Sequence, residues 1–255
     1  MKKLTRRTLG TVSLGAMLAT AALGATPAGA QDPPGRAVGH QSAHGQAMNR
    51  GQAKTVDLVA DLTPLNGSGV TGRATATVRN QLIRQVDVHA TGLTPDAPHA
   101  AHIHYGDDAR NECPSMADAT NTRTVSGRVI PRLSTVDGLP AYGPIVVSLT
   151  TTGDTTPASA LALGRFPVAR DGQLSYSRSN IEFTSVAGTG YGGPGGAGTA
   201  KEIADAVRDG EGVVVIHGVD YNGNGRYDFD GAGRSELDRT APAEATDPAA
   251  CGVLK

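Results

Sequence analysis

The chain has 255 residues, with 23 Lys and Arg against 24 Asp and Glu, and a formal net charge of −1 at neutral pH. This balance argues against nucleic acid as a partner, and no apolar run reaches the roughly 20 residues that a membrane-spanning helix needs. Thirty-four glycines, fifteen prolines and no tryptophan favour short strands joined by turns over helices.

The N-terminus has the pattern of an export signal. Basic residues at positions 2, 3, 6 and 7 precede an apolar stretch over 9–23, and Ala28-Gly29-Ala30 has the form of a signal-peptidase site. We predict a signal peptide over 1–30 and a secreted, periplasmic or cell-envelope location, by the Sec route or, given Arg6-Arg7, the twin-arginine route. Its removal leaves 19 basic and 24 acidic residues, about −5 in net charge.

Residues 31–53 contain almost no large apolar side chains, so we predict a flexible leader there. A single β domain is predicted over 54–255. Alternating apolar residues predict strands from Thr55, over 70–78 and over 82–90, and Ala101-His102-Ile103-His104 resumes extended structure. Further strands are predicted over 145–149, 174–183 and 213–219.

Two long loops and one short helix complete the predicted domain. Residues 114–142 are polar and turn-rich, and residues 187–199 are glycine-rich, as expected of long functional or disordered loops. Residues 201–208 place apolar side chains on one side at helical spacing, which predicts one short helix.

The chain has two cysteines, Cys113 and Cys251. Because an exported chain meets oxidising conditions, in which an even pair normally closes, we predict a disulfide between them. This bond would tie the C-terminus to the middle of the domain.

Three histidines are candidate metal ligands. In a strand, His102 and His104 project from the same face about 7 Å apart, which suits two ligands of one ion. His217 ends the apolar run Val213-Val214-Val215-Ile216, where a buried imidazole needs a hydrogen bond or a metal. Spacing alone leaves metal ligation and ordinary hydrogen-bonded histidines equally open.

These segments resemble the copper/zinc superoxide dismutases. The resemblance is carried by the stretch from Gly92-Leu93-Thr94 through His99 and His102-Ile103-His104 to Cys113, by Val214-Val215-Ile216-His217, and by Ala250-Cys251-Gly252-Val253-Leu254. It implies an antiparallel Greek-key β-sandwich or barrel, copper ligands at His102, His104 and His217, and a structural role for His99. It also implies dismutation of superoxide by copper that alternates between Cu(II) and Cu(I).

The departures from the family pattern concern the zinc site and substrate guidance. After His104 the only remaining histidine is His217, so the bridging histidine and the other zinc histidines have no counterparts. The zinc aspartate falls at Ala162 and the substrate-guiding arginine at Pro248. We therefore expect copper without zinc, and catalysis slower than in the family.

A possible calcium loop follows His217. Asp220, Asn222, Asn224 and Asp228 occupy positions 1, 3, 5 and 9 of a calcium-loop template, with Gly225 at position 6. Position 12 is Gly231 instead of a bidentate Glu, so the alternative is a loop built from Asx turns.

A second function class remains open beside the copper enzyme. The chain is also similar to the HxH-bearing CHRD domains, which would make it a non-enzymatic exported β-sandwich binding module. His217 and the C-terminal cysteine motif discriminate between the two, because a CHRD-like module has no evident need for either.

Overall fold

The structure is a computed structural model that describes residues 54–187 and 196–255. The predicted signal peptide (1–30) and leader (31–53) lie outside the described residues, as do residues 188–195 of the glycine-rich loop.

The described part of the chain is an all-β, antiparallel fold, as predicted. An eight-stranded curled sheet has the order β7-β4-β9-β10-β1-β2-β3-β8, and β5 and β6 form a separate hairpin. The strands are β1 (Thr55–Pro64), β2 (Thr71–Arg79), β3 (Leu82–Thr91), β4 (Ala101–His104), β5 (Asn121–Val125), β6 (Arg128–Arg132), β7 (Ile145–Ser148), β8 (Gln173–Glu182), β9 (Val213–His217) and β10 (Pro248–Val253).

The sheet curls so that its two halves enclose a common core. The halves are joined where β1 pairs with β10 at Thr63–Cys251 and Pro64–Ala250, and Val59 and Lys255 exchange a further pair of backbone hydrogen bonds. Alternation places one face of each strand inward, and the core combines side chains from both halves, including Leu58, Val88, Ile103, Val147, Val214 and Ile216. This is the packing of a β-sandwich.

A second, smaller core lies on the outer face of the β4–β9–β10 half. Val213 and Val215 of β9 and Cys251 of β10 pack there against Leu133, Leu139 and Tyr142. Since alternate residues of β9 point to opposite faces, these valines share the outer face with His217. This face carries the candidate site.

The prediction of an irregular loop over the polar stretch 114–142 is wrong, because this stretch contains regular structure. It contains the β5–β6 hairpin and helix α1 (Thr135–Tyr142). The hairpin turns at Ser126-Gly127, whose φ angles of 48° and 75° suit a tight turn with two left-handed residues. Helix α1 begins with a capping box between Ser134 and Asp137.

The single predicted helix is one of three α-helices in the described ranges. It is α2 (Ala200–Arg208), and α1 and the short α3 (Ala243–Thr246) are additional. None of the helices within residues 54–187 and 196–255 is long and apolar enough to cross a membrane.

The predicted disulfide between Cys113 and Cys251 is present, with an S–S distance of 2.07 Å and Cα atoms 5.7 Å apart. It joins β10 to the loop after β4, and that loop in turn contacts α1. The backbone N–H groups of Arg110 and Glu112 donate to the carbonyls of Pro140 and Ala141. The bond therefore ties together the segments that surround the outer face.

Candidate metal centre

Two adjacent strands bring the three predicted histidines to one face. β4 lies between β7 and β9, and His102 pairs in register with Val215 while His104 pairs with Val213. Because Ile103 points into the main core, its two neighbours point to the outer face. His217 ends β9 on this same face, as the alternation of that strand requires.

The three imidazoles converge. One potential ligand nitrogen from each lies within 4.8 Å of those of the other two. The ring centroids of His102 and His217 are 5.2 Å apart, and those of His104 and His217 are 6.2 Å apart. A metal with bonds of about 2.0 Å to nitrogen holds its ligands no more than about 4 Å apart, so small ring rotations would close the set around one ion.

Each imidazole is oriented by a backbone carbonyl. His102 Nε2 lies 3.1 Å from the Ala160 oxygen, His104 Nδ1 lies 2.8 Å from the Gly143 oxygen, and His217 Nδ1 lies 2.6 Å from the Thr246 oxygen. A carbonyl only accepts, so each of these nitrogens carries the proton. The tautomer of each ring is fixed in this way.

The opposite nitrogen of each ring is left with its lone pair and no partner. His102 Nδ1, His104 Nε2 and His217 Nε2 are buried and make no hydrogen bond. Leaving a buried acceptor unsatisfied costs roughly 1–3 kcal/mol, so three such atoms in one cluster need an explanation. Three neutral imidazoles, each held through its other nitrogen, form a donor set that fits a transition-metal ion.

Burial keeps the imidazoles neutral. Desolvation lowers the pKa of His102 well below 6.5, and the neighbouring His217 and His104 lower it further. Desolvation also lowers the pKa of His104 to about 3 and that of His217 to about 4. At neutral pH all three lone pairs are therefore available to a metal without loss of a proton.

The direction of the carbonyl that accepts the hydrogen bond from His104 depends on Gly143. Gly143 caps the C-terminus of α1 with φ of 80°. A Cβ at this residue would lie 2.7 Å from the backbone nitrogen of Gly106 and 2.8 Å from the carbonyl carbon of Tyr105. Only glycine fits this conformation and this contact without strain, and the conformation aims the carbonyl at His104.

A buried charge network supports the segment that orients His217. Arg132 donates two hydrogen bonds to the Asp247 carboxylate, at 2.9 and 2.7 Å, and a further one to Glu236. Tyr221 Oη donates to Asp247 as well, at 2.9 Å. Asp247 directly follows Thr246, so this network fixes the backbone whose carbonyl holds His217.

A residue of helix α1 also contacts the Thr246 carbonyl that orients His217. Thr135 Oγ1 donates to the Thr246 oxygen and lies 3.3 Å from His217 Nδ1. The Tyr142 hydroxyl donates in turn to the Thr135 carbonyl at 2.7 Å. Since Gly143 ends α1, one helix helps to orient both His104 and His217.

A narrow apolar cavity adjoins the centre. Its volume is about 20 Å³, and it is lined by His102 and His217 together with two threonines and seven apolar residues. Within the described ranges, no lysine or arginine lines it. His102 and His217 are each 3% exposed and His104 is fully buried. Access to the centre is therefore from the side of His102 and His217.

His99 lies outside the cluster. Its Nδ1 is 3.0 Å from the His217 carbonyl oxygen, its Nε2 is 3.1 Å from the Thr94 oxygen, and the Tyr227 hydroxyl lies beside the ring. Both ring nitrogens thus have partners. This arrangement agrees with the structural role inferred for His99 and leaves it no free nitrogen for a metal.

The four calcium-candidate residues are close together in one exposed loop. Asp220 accepts from the backbone N–H groups of Gly223 and Gly225, at 2.8 and 2.6 Å, and the side-chain amides of Asn222 and Asn224 donate to Asp228. These are the contacts of an Asx-turn loop. Calcium binding there stays a prediction.

The residues that the sequence did not reveal are those that orient the histidines. Ala160, Gly143 and Thr246 act through backbone carbonyls, which leave no signature in residue type. For Thr135 a signal existed, because Ser134-x-x-Asp137 is a capping-box pattern that marks the start of α1.

No protein-family model matches the chain, and no curated protein sequence matches it significantly.

Proposed function

We propose that this protein is an exported copper-binding protein of superoxide dismutase type, which holds one copper ion at His102, His104 and His217. One observation carries the proposal: three buried imidazoles converge, and each has one ring nitrogen without a partner while its other ring nitrogen donates to a backbone carbonyl. Imidazole ligands suit both Cu(II) and Cu(I).

Bound copper would supply one-electron chemistry, in which two superoxide ions and two protons give dioxygen and hydrogen peroxide. The chain itself holds three neutral donors in fixed tautomers and limits approach to the narrow cavity beside His102 and His217. Because no cation lines this cavity in the described ranges, we propose dismutation well below the rate of an electrostatically guided site, for which steering contributes about 10 to 1,000-fold.

Export accounts for the disulfide. Cys113 and Cys251 are paired in the described part of the chain, and such bonds persist in oxidising compartments outside the cytosol. We propose that the predicted signal peptide over 1–30 directs the protein there.

The proposal is tested by metal analysis of the purified protein after incubation with equal amounts of copper and zinc. We expect one copper per chain in the wild type and none in His217→Asn, which keeps a side-chain N–H for the Thr246 carbonyl. The control is His89→Asn, because His89 is exposed on β3 and lies outside the cluster.

A superoxide assay on the same samples separates the candidate functions. Copper with measurable dismutation supports the enzyme, and copper without it makes the protein a copper binder. Bound zinc in place of copper contradicts the choice of metal. Absence of any metal in the wild type contradicts the proposal and favours the non-enzymatic CHRD-like module.

A further inference from the structure

Three leucines stand at the cavity beside the metal centre. Leu161, Leu163 and Leu237 line it and are each partly exposed, whereas the histidines behind them are almost completely buried. A molecule that approaches His102 and His217 through this cavity must therefore pass apolar side chains.

The leucines are carried by two loops that are fixed to the histidines themselves. Leu161 follows Ala160, whose carbonyl accepts the hydrogen bond from His102. Leu237 belongs to the segment of Ser235, whose hydroxyl accepts a 2.8 Å hydrogen bond from Thr246, the residue that holds His217. The position of the leucines is thus coupled to that of two ligands.

Two arginines of the neighbouring segments are turned to other partners. Arg165, two residues after Leu163, donates to the Thr152 and Asp154 carbonyls and to Ser159. Arg132 is buried and paired with two carboxylates. Neither lines the cavity, so neither offsets the loss of hydration that an entering anion would suffer among apolar side chains.

The volume of the cavity also limits the size of the molecule that can enter it. A cavity of about 20 Å³ has room for about one water-sized molecule, since one such molecule needs roughly 10–15 Å³ by the same measure. Its polar lining beyond the histidines consists of Thr135 and Thr246. The lining therefore suits a small uncharged molecule better than an anion of the same size.

We propose that Leu161, Leu163 and Leu237 form a gate that admits a single small uncharged molecule, of the size of water or dioxygen, to the metal and discriminates against anions. The inference rests on the proposed metal site and concerns its selectivity. It also gives a structural reason for slow dismutation, because superoxide is an anion.

The test uses the Cu(II)-loaded protein and two probes of similar size and different charge. Paramagnetic copper speeds the relaxation of water protons and of fluoride ¹⁹F nuclei that reach it. In the wild type we expect enhanced relaxation of water protons and little enhancement for fluoride. In Leu237→Lys, which places a cation at the mouth, we expect fluoride affinity to rise about 10-fold.

Two further variants separate the effect of cavity size from the effect of charge and of its position. Leu237→Ala widens the mouth without adding charge, and it should raise access for the larger anion azide, measured by its charge-transfer band with Cu(II). Leu82→Lys adds the same charge on β3, which three strands separate from β9 in the sheet, and it should behave as wild type.

The outcomes separate the gate from the metal site. If the copper-loaded wild type enhances fluoride relaxation as strongly as Leu237→Lys, the gate is overturned and the metal site still stands. A copper-loaded wild type that enhances neither probe also overturns it, because the cavity then admits nothing. A wild type that binds no copper overturns the proposed function and the gate together.

Discussion

Replacing His217 by asparagine in the metal-free protein should remove one source of acid sensitivity. Burial lowers the pKa of His217 to about 4, whereas in the unfolded chain it returns to about 6.5. Between these values the unfolded state binds a proton that the folded state does not. Stability from this residue is therefore fully present above about pH 6.5 and is lost as the pH falls toward 4.

The size of the effect follows from the two pKa values. The linkage relation gives a loss of about 2 kcal/mol between pH 7 and pH 5, and about 3 kcal/mol once the pH is below 4. Asp247, next to Thr246, is also buried, and its carboxylate is paired with Arg132. Asp247 is present in both proteins, so its contribution cancels in the comparison.

Urea denaturation followed by circular dichroism, with a chelator present, measures this difference. Between pH 7 and pH 5 the wild type should lose about 2 kcal/mol more than His217→Asn. His89→Asn is the control and should follow the wild type, because His89 is exposed. Parallel pH profiles for the wild type and His217→Asn would refute the claim that His217 is buried and neutral in the folded protein.

Three further predictions concern the surroundings of the centre. Arg132→Met should destabilise the protein by about 3–5 kcal/mol in urea denaturation, because it leaves two carboxylates without their buried partner, whereas Arg110→Met, at an exposed ion pair, should cost at most about 1 kcal/mol. Replacing Cys113 and Cys251 by alanine should cost up to about 5 kcal/mol, since the closed loop spans 138 residues. Thr135→Val should weaken copper binding about 10-fold at unchanged stoichiometry, measured by competition with a chelator.

Each of these three predictions has an outcome that would contradict it. Equal losses for Arg132→Met and Arg110→Met would mean that burial does not distinguish the two ion pairs. Unchanged stability of the double cysteine variant would mean that the disulfide does not restrict the unfolded chain. Unchanged copper affinity in Thr135→Val would remove Thr135 from the support of His217.

The strands and the site histidines were predictable because both follow from the two-residue period of a β-strand. Ile103 is apolar between two histidines, so burial of Ile103 in the main core dictates that His102 and His104 share the outer face. The apolar run before His217 similarly marked β9 as a buried strand. The disulfide was predictable from a count of two cysteines together with the predicted export signal.

The residues that orient the histidines were not predictable from residue type. The Ala160 and Thr246 carbonyls act through the backbone, and their positions depend on how two distant loops fold over the outer face. Helix α1 was missed despite its capping box, because Gly138 and Pro140 both lower intrinsic helix propensity. Tertiary packing of Leu139 and Tyr142 against β9 outweighs that local preference.

The hairpin of β5 and β6 was missed for a different reason. Its strands are polar and largely exposed, with Val129 69% exposed, so they lack the alternation that marks a half-buried strand. The turn residues Ser126-Gly127 were the remaining local signal, and that pair is also common in irregular loops.

The most direct test of the central claim is a crystal structure of the copper-loaded protein with anomalous data collected at the copper absorption edge. The account predicts one copper peak about 2.0–2.1 Å from His102 Nδ1, His104 Nε2 and His217 Nε2, the three nitrogens that have no other partner. A peak bound elsewhere, or the absence of a peak among these three nitrogens, would contradict it.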